Sequence, residues 1–248
     1  MSYDLFSEFY DNLTSDVNYK QRTDYLISIF KKFDKLPSLL LDVGCGTGNF
    51  SIEFAKRGVD VIGVDPSFSM LSVAKRKALA ENLSILFLNQ SGEELDLYGT
   101  VDGAICCLDT VNHITDKRNL QKLLNKVSLF LEPQKLFVFD INTEYKHKNI
   151  LGNNSFVFEN DKTYCVWQNF YDSKSKITDI FLDFFVADNN DNYVRSSESF
   201  SERVYNNDEI TSMLKKAGFS VLKVFDENTF NKPKANSQRV IYVTRKEG

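Results

Sequence analysis

Residues 41–50, LDVGCGTGNF, constrain the chain more than any other stretch. Gly44, Gly46 and Gly48 follow an apolar run at 39–43. They precede a helical pattern in which Phe50 and Phe54 fall one turn apart. Glycine permits positive φ and close approach of a ligand, at a cost in chain entropy that a plain turn would not need three times over. A helix opening beyond such a loop offers free N–H groups to an anionic or polar ligand. The loop therefore reads as a nucleotide-binding turn. Its spacing is G-x-G-x-G. A dinucleotide fingerprint needs glycine at position 49, where Asn49 stands. No Gly-Lys-Ser/Thr follows, so it is not a phosphate loop either.

The rest of the chain supplies a sheet for this loop. A helix is expected over 16–33, with Tyr25, Leu26, Ile29, Phe30 and Phe33 at helical spacing. Strands are expected at 39–43, 59–64, 83–88, 101–108 and 136–141. The helices between them end at Gly58, open at Pro66, and start from an Asp116 cap. Such alternation implies parallel crossovers and a sheet covered on both faces. After Lys148 the pattern changes. Residues 155–205 hold four β-like runs separated by turn-rich breaks, read as an antiparallel meander. Asn207 then caps a further helix, and strands at 219–225 and 239–244 pair antiparallel. The expected organisation is an α/β unit of 1–150 plus 206–248, with 151–205 an inserted antiparallel β subdomain.

These residues resemble motif I of the class I S-adenosylmethionine-dependent methyltransferases, and the resemblance runs from the first strand to the last strand pair. It implies a seven-stranded Rossmann-like sheet, mostly parallel with an antiparallel last strand. It implies S-adenosylmethionine as cofactor and S-adenosylhomocysteine as product. Asp65, at the end of VIGVDPS, then accepts the ribose hydroxyls; an ionised carboxylate offers two acceptor oxygens and no donor. Asp42 and Gly44 orient the methionine end. Ser67 and Met70 line the adenine pocket, although Met70 equally suits a helix core. Ser91 stands where relatives carry an acid on the adenine amino group, with Gln90 as a substitute. Cys107 and Leu108 supply backbone contacts near the departing methyl group. YDLFSEFYDNL resembles an N-terminal helical lid, with Tyr3 and Tyr10 to cover the ligands.

Methyl transfer needs alignment and exclusion of water. A base is required only where the acceptor must lose a proton. His113, just past the fourth strand, is the better placed of the two histidines. His147, within YKHKN, is expected to be solvated. Arg203 and Tyr205 are further candidates to touch a polar acceptor. The aromatic-rich insertion is expected to shape the acceptor site. Consecutive Phe184 and Phe185 must face opposite ways, so one face of a strand needs an acceptor, another strand or a second copy of the chain to cover it.

The formal net charge of −4 weighs against a nucleic-acid partner. No run approaches the ~18 apolar residues of a membrane span, and the start lacks the pattern of a secretory signal. Cys45, Cys106, Cys107 and Cys165 show no metal-ligand spacing and read as buried thiols of a cytoplasmic protein. No metal is expected. The leading function is methyl transfer to a small molecule. The alternatives are a nonenzymatic S-adenosylmethionine sensor, a protein- or RNA-modifying methyltransferase and, more distantly, a nicotinamide-dependent oxidoreductase.

Overall fold

The computed structural model describes residues 7, 10, 11, 14, 16–159, 163–187 and 192–248. Tyr3 lies outside them. The order is α1 (Tyr19–Phe33), β1 (Leu39–Val43), α2 (Asn49–Ala55), β2 (Asp60–Asp65), α3 (Phe68–Ala80), β3 (Leu86–Asn89), β4 (Gly103–Cys106), α4 (Thr110–His113), α5 (Lys117–Phe130) and β5 (Leu136–Asn142). Then follow β6 (Ser155–Glu159), β7 (Thr163–Asp172), β8 (Ile177–Ala187), β9 (Tyr193–Arg203), α6 (Asn207–Lys216), β10 (Phe219–Asp226) and β11 (Arg239–Lys246).

Seven strands form one sheet in the order β10-β11-β5-β4-β1-β2-β3. β1 to β5 pair parallel, and β11 runs antiparallel between β5 and β10. The central strands are mainly apolar because helices cover both faces, with Asp42 of β1 and Asp140 and Asn142 of β5 as buried exceptions. All seven residues of β5 are buried. Alternate residues feed two cores, as strand geometry requires. Leu41, Phe137 and Phe139 pack with Leu120, Leu124 and Val127 of α5 and Leu214 of α6. Leu40, Ile105 and Val138 pack with Leu26 and Phe30 of α1 and Phe54 of α2.

The meander forms its own antiparallel sheet, β6-β7-β8-β9. Cys165, Ile180, Leu182 and Phe184 on its inner face pack against Met70 of α3 and Tyr10. Phe184 and Phe185 do face opposite ways: Phe184 is buried, and Phe185 meets Tyr164 and the Arg195 guanidinium on the other face.

Two helix starts differ from expectation, α3 by two residues and α6 by one. Pro66 precedes α3, whose cap is Ser67, with Oγ accepting from Met70 N. Asn206, not Asn207, caps α6, because a reciprocal box with Glu209 satisfies two backbone donors at once. Asn207 instead accepts from the Tyr242 hydroxyl. β4 stops at Cys106 because Leu108 and Asp109 turn into the left-handed region, with φ of 54° and 58°. Among the described residues no helix is long and apolar enough to cross a membrane.

Candidate functional site

The glycine loop leaves β1 and enters α2 with two distinct steric demands. A Cβ on Gly48 would lie 2.9 Å from the Ala74 Cβ and 3.1 Å from the Phe87 ring, so this glycine lets α3 and β3 close on the loop. A Cβ on Gly46 would meet nothing within 4 Å, so this position is open. Gly44 lies against the Thr110 side chain. Asp65 fixes the loop from β2: one carboxylate oxygen accepts from Gly46 N at 2.9 Å and the other from Ser67 N at 2.8 Å. Each oxygen keeps a second lone pair for a ligand. Burial raises the Asp65 pKa, against the Ser67 and Gly46 donors and the charge of His113. Beneath the loop Asp42 is 2% exposed and accepts from the Ser51 hydroxyl at 2.6 Å. Burial, with the Asp65 charge, pushes its pKa up to about 7.

The N-terminal segment reaches over this loop. Asp11 accepts from Thr47 Oγ1 at 2.7 Å, Asn49 Nδ2 at 2.8 Å and Lys77 Nζ at 2.6 Å. Burial opposes the Asp11 charge, and these donors hold its pKa below the usual range. Asn49, the residue that breaks the dinucleotide spacing, thus ties the loop to the segment above it. Sequence reading missed this clasp. Its signal was an acid one residue from Tyr10 and an amide at the start of α2. Tyr10 itself lines the cavity beside Gly44 and Gly46.

That cavity measures about 1360 Å³. The loop, Asp65, Ser67, Met70 and Ser91 line one part of it; Trp167, Leu182 and Phe200 of the meander line another. Leu108 lines it as well, while Cys107 and Asp42 border a small adjoining void. Gln90 does not line it. Its amide is used within its own loop, accepting from Asp96 N and donating to Asp96 O.

A buried polar network closes the far wall. Asp140 of β5 accepts from Leu108 N and Asp109 N, both at 2.8 Å, and from Arg239 Nη1 of β11 at 2.6 Å. This carboxylate holds two non-glycine residues in the left-handed region, a conformation costing ~1–3 kcal/mol each. Asp109 thereby faces the cavity, where Arg239 Nη1 reaches it at 3.0 Å. Asn142 Nδ2 donates to both Asp109 Oδ2 at 3.0 Å and Glu202 Oε2 at 3.1 Å. Glu202 Oε1 stands 3.9 Å from His113 Nε2.

Protonation follows from these surroundings. Burial opposes the Asp109 charge, but Arg239, Lys146 and His113 outweigh it and hold its pKa well below the carboxylate range. Burial and the Asp109 charge push Glu202 up to about 8, against Asn142, Lys146 and Arg239. Burial lowers His113 despite Asp109 and Asp65. Its ring lines the cavity with the side chain 41% exposed, and Phe200 packs on it at 4.9 Å.

Three residues sit elsewhere than expected. Arg203 and Tyr205 do not line the cavity. The Arg203 carbonyl accepts from Asn112 Nδ2 at 2.9 Å and its guanidinium lies over the Tyr205 ring, while the Tyr205 hydroxyl donates to the Ile114 carbonyl. Their β9-to-α6 step is turned toward α4 to join the two sheets. His147 is not solvated. A π-helical turn, Lys146–Leu151, carries it inward, where Nδ1 meets Thr178 Oγ1 at 2.8 Å and Nε2 lies 3.6 Å from Glu202. Burial lowers its pKa to about 4. Glu202, Asp140, Arg239 and Asn142 were missed in sequence; each lies in a strand, and their meeting depends on pairing between strands far apart in the chain.

Residues 40–134 match the family model described as a methyltransferase domain. The fold superposes on an S-adenosylmethionine-dependent methyltransferase from Clostridium acetobutylicum, 30% identical, with a TM-score of 0.89 and full coverage of both chains. YqeM of Bacillus subtilis is 30% identical over 247 residues, covering 99% of this chain and 98% of its own. The chain belongs to the class I S-adenosylmethionine-dependent methyltransferases.

Proposed function

We propose that the chain transfers a methyl group from S-adenosylmethionine to a small-molecule acceptor held beneath the meander. One observation carries this reading: a single cavity joins the glycine loop to the Asp109–His113–Glu202 wall. Its volume exceeds the ~300–1,000 Å³ of a site for one small ligand, which favours a donor and an acceptor over a sensor that binds the nucleoside alone. The cofactor, when bound, supplies a methyl group on a cationic sulfur. The loop residues fit it. Gly46 leaves room for close approach, and Asp65 keeps two lone pairs for the ribose hydroxyls. Ser67, Met70 and Ser91 border the adenine side; Gly44, with Asp42 beneath, borders the methionine side. Leu108 and Asp109 then bring the acceptor wall to the end of β4. Tyr10, Trp167 and Phe200 exclude water. In this reading residues 1–150 and 206–248 hold the donor, and 151–205 cover the acceptor.

Asp65→Ala tests the donor half. It is expected to weaken S-adenosylhomocysteine binding by ~1.5–3 kcal/mol, the range for hydrogen bonds to a charged group, in a calorimetric titration. Unchanged affinity would remove Asp65 from the ribose site.

A further inference from the structure

The ladder between β4 and β5 ends at the pair Cys106–Phe139. Asp140 is the next residue of β5, and beyond Cys106 the β4 chain turns away. The Asp140 carboxylate replaces the missing ladder. Oδ2 accepts from Leu108 N, and Oδ1 accepts from both Asp109 N and Arg239 Nη1. An apolar side chain would suit a fully buried strand, and packed hydrophobes often match or exceed a buried ion pair in stability. Stability is thus a weak reason for a carboxylate and a guanidinium at this point.

The pair fixes a geometry instead. Leu108 and Asp109 take φ of 54° and 58°, a region that residues with a Cβ leave unless they are held there. The next residue, Thr110, donates from Oγ1 to the Cys107 carbonyl at 2.9 Å. Its side chain rests on the glycine loop: a Cβ on Gly44 would come 2.3 Å from Thr110 Cγ2. Thr110 lines both the main cavity and the small adjoining void. One turn therefore meets the donor loop through Thr110 and the opposite wall through Asp109. Arg239 anchors that turn to Asp140 and is itself held by Glu227 at 3.2 Å. Asp140 does not line the cavity, so it acts through these neighbours.

We infer that Asp140 is a positioning residue for methyl transfer, holding the Leu108–Asp109 turn so that Thr110 supports the donor loop while Asp109 faces the acceptor. The inference rests on the donor reading above, in which Gly44 borders the methionine side. Without the two bonds from the turn, Leu108 and Asp109 relax out of the left-handed region. Thr110 then withdraws from Gly44, and the loop loses the support that shapes it for the donor. Glycine at position 108 takes positive φ unaided, so it offsets the loss of the carboxylate.

Calorimetric titration with S-adenosylhomocysteine tests this, at a temperature where circular dichroism shows each variant folded. Asp140→Asn leaves at least one of three buried donors without an acceptor and is expected to weaken binding about tenfold or more. Adding Leu108→Gly to Asp140→Asn is expected to recover about threefold or more, whereas Leu108→Gly alone brings no gain over the wild type. A merely structural defect predicts the reverse, because glycine adds chain entropy to a variant already weakened. Binding within twofold of wild type in Asp140→Asn overturns the inference. So does Leu108→Gly lowering affinity by the same factor in both backgrounds. Thr110→Ala decides alone should Asp140→Asn not fold: about threefold weaker binding is expected, and unchanged affinity overturns the inference. Absence of S-adenosylhomocysteine binding to the wild type brings down the donor reading as well; wild-type binding that is indifferent to these substitutions brings down the inference only.

Discussion

Glu202 stands between Ser201 and Arg203 in β9 and looks like a solvated acid in sequence, yet it is buried beside Asp109. Its stability signature follows by sign. In the unfolded chain a glutamate ionises near ~4.3, whereas here it keeps its proton to about 8. Between these values the folded state binds the extra proton, so this residue's contribution falls as pH rises. Asp42, raised to about 7, acts in the same direction. His113 and His147 are lowered and act oppositely below ~6.5. In a comparison of wild type with Glu202→Gln the unaltered groups largely cancel. The variant is expected to gain on the wild type as pH rises from 5.5 to 8.5. The gain is ~1 kcal/mol or more, or ~2–4 °C in thermal midpoint for a chain of this length. A constant difference across that range would contradict the assignment. At this scale the glycines and Asp65 were legible because backbone geometry demands them locally. Glu202 and Arg239 were not: they meet Asp109 from positions 93 and 130 residues further on, through strand registers that no local pattern encodes.

Elements were more legible than residues. The apolar runs marked all seven strands of the main sheet and the four of the meander, since burial on one or both faces dictates them. Their ends were less so. β4 is shortened by the Asp140 carboxylate of another strand, and the π-helical turn after β5 reverses the expected exposure of His147. The short helix α4 gave no sequence signal, yet it connects the two sheets. Asn112, fully buried, accepts from Asn142 N of β5 at 2.8 Å and donates to the Arg203 carbonyl of β9 at 2.9 Å. Asn112→Ala leaves a buried donor and a buried acceptor without partners. Each costs ~1–3 kcal/mol, so urea denaturation is expected to show a loss of ~2 kcal/mol or more. A loss under ~0.5 kcal/mol would mean that this link does not hold the sheets together.

The whole molecule divides its labour between the sheets. The family model covers 40–134, which contains the glycine loop, Asp65 and His113 but not Glu202, Arg239 or the meander. In the proposed reading, donor recognition is carried by the general part of the fold, and the acceptor wall is completed by β9 and β11. This explains why the sequence was sharper about what is held than about what is methylated. The central claim is that one cavity seats the donor on the glycine loop with its sulfur turned toward Asp109, His113 and Glu202. A crystal structure with S-adenosylhomocysteine tests it directly. The expected density has the ribose hydroxyls on Asp65, the adenine beside Met70 and the sulfur facing Glu202. Adenine at the Glu202 wall, or density away from the glycine loop, would contradict it.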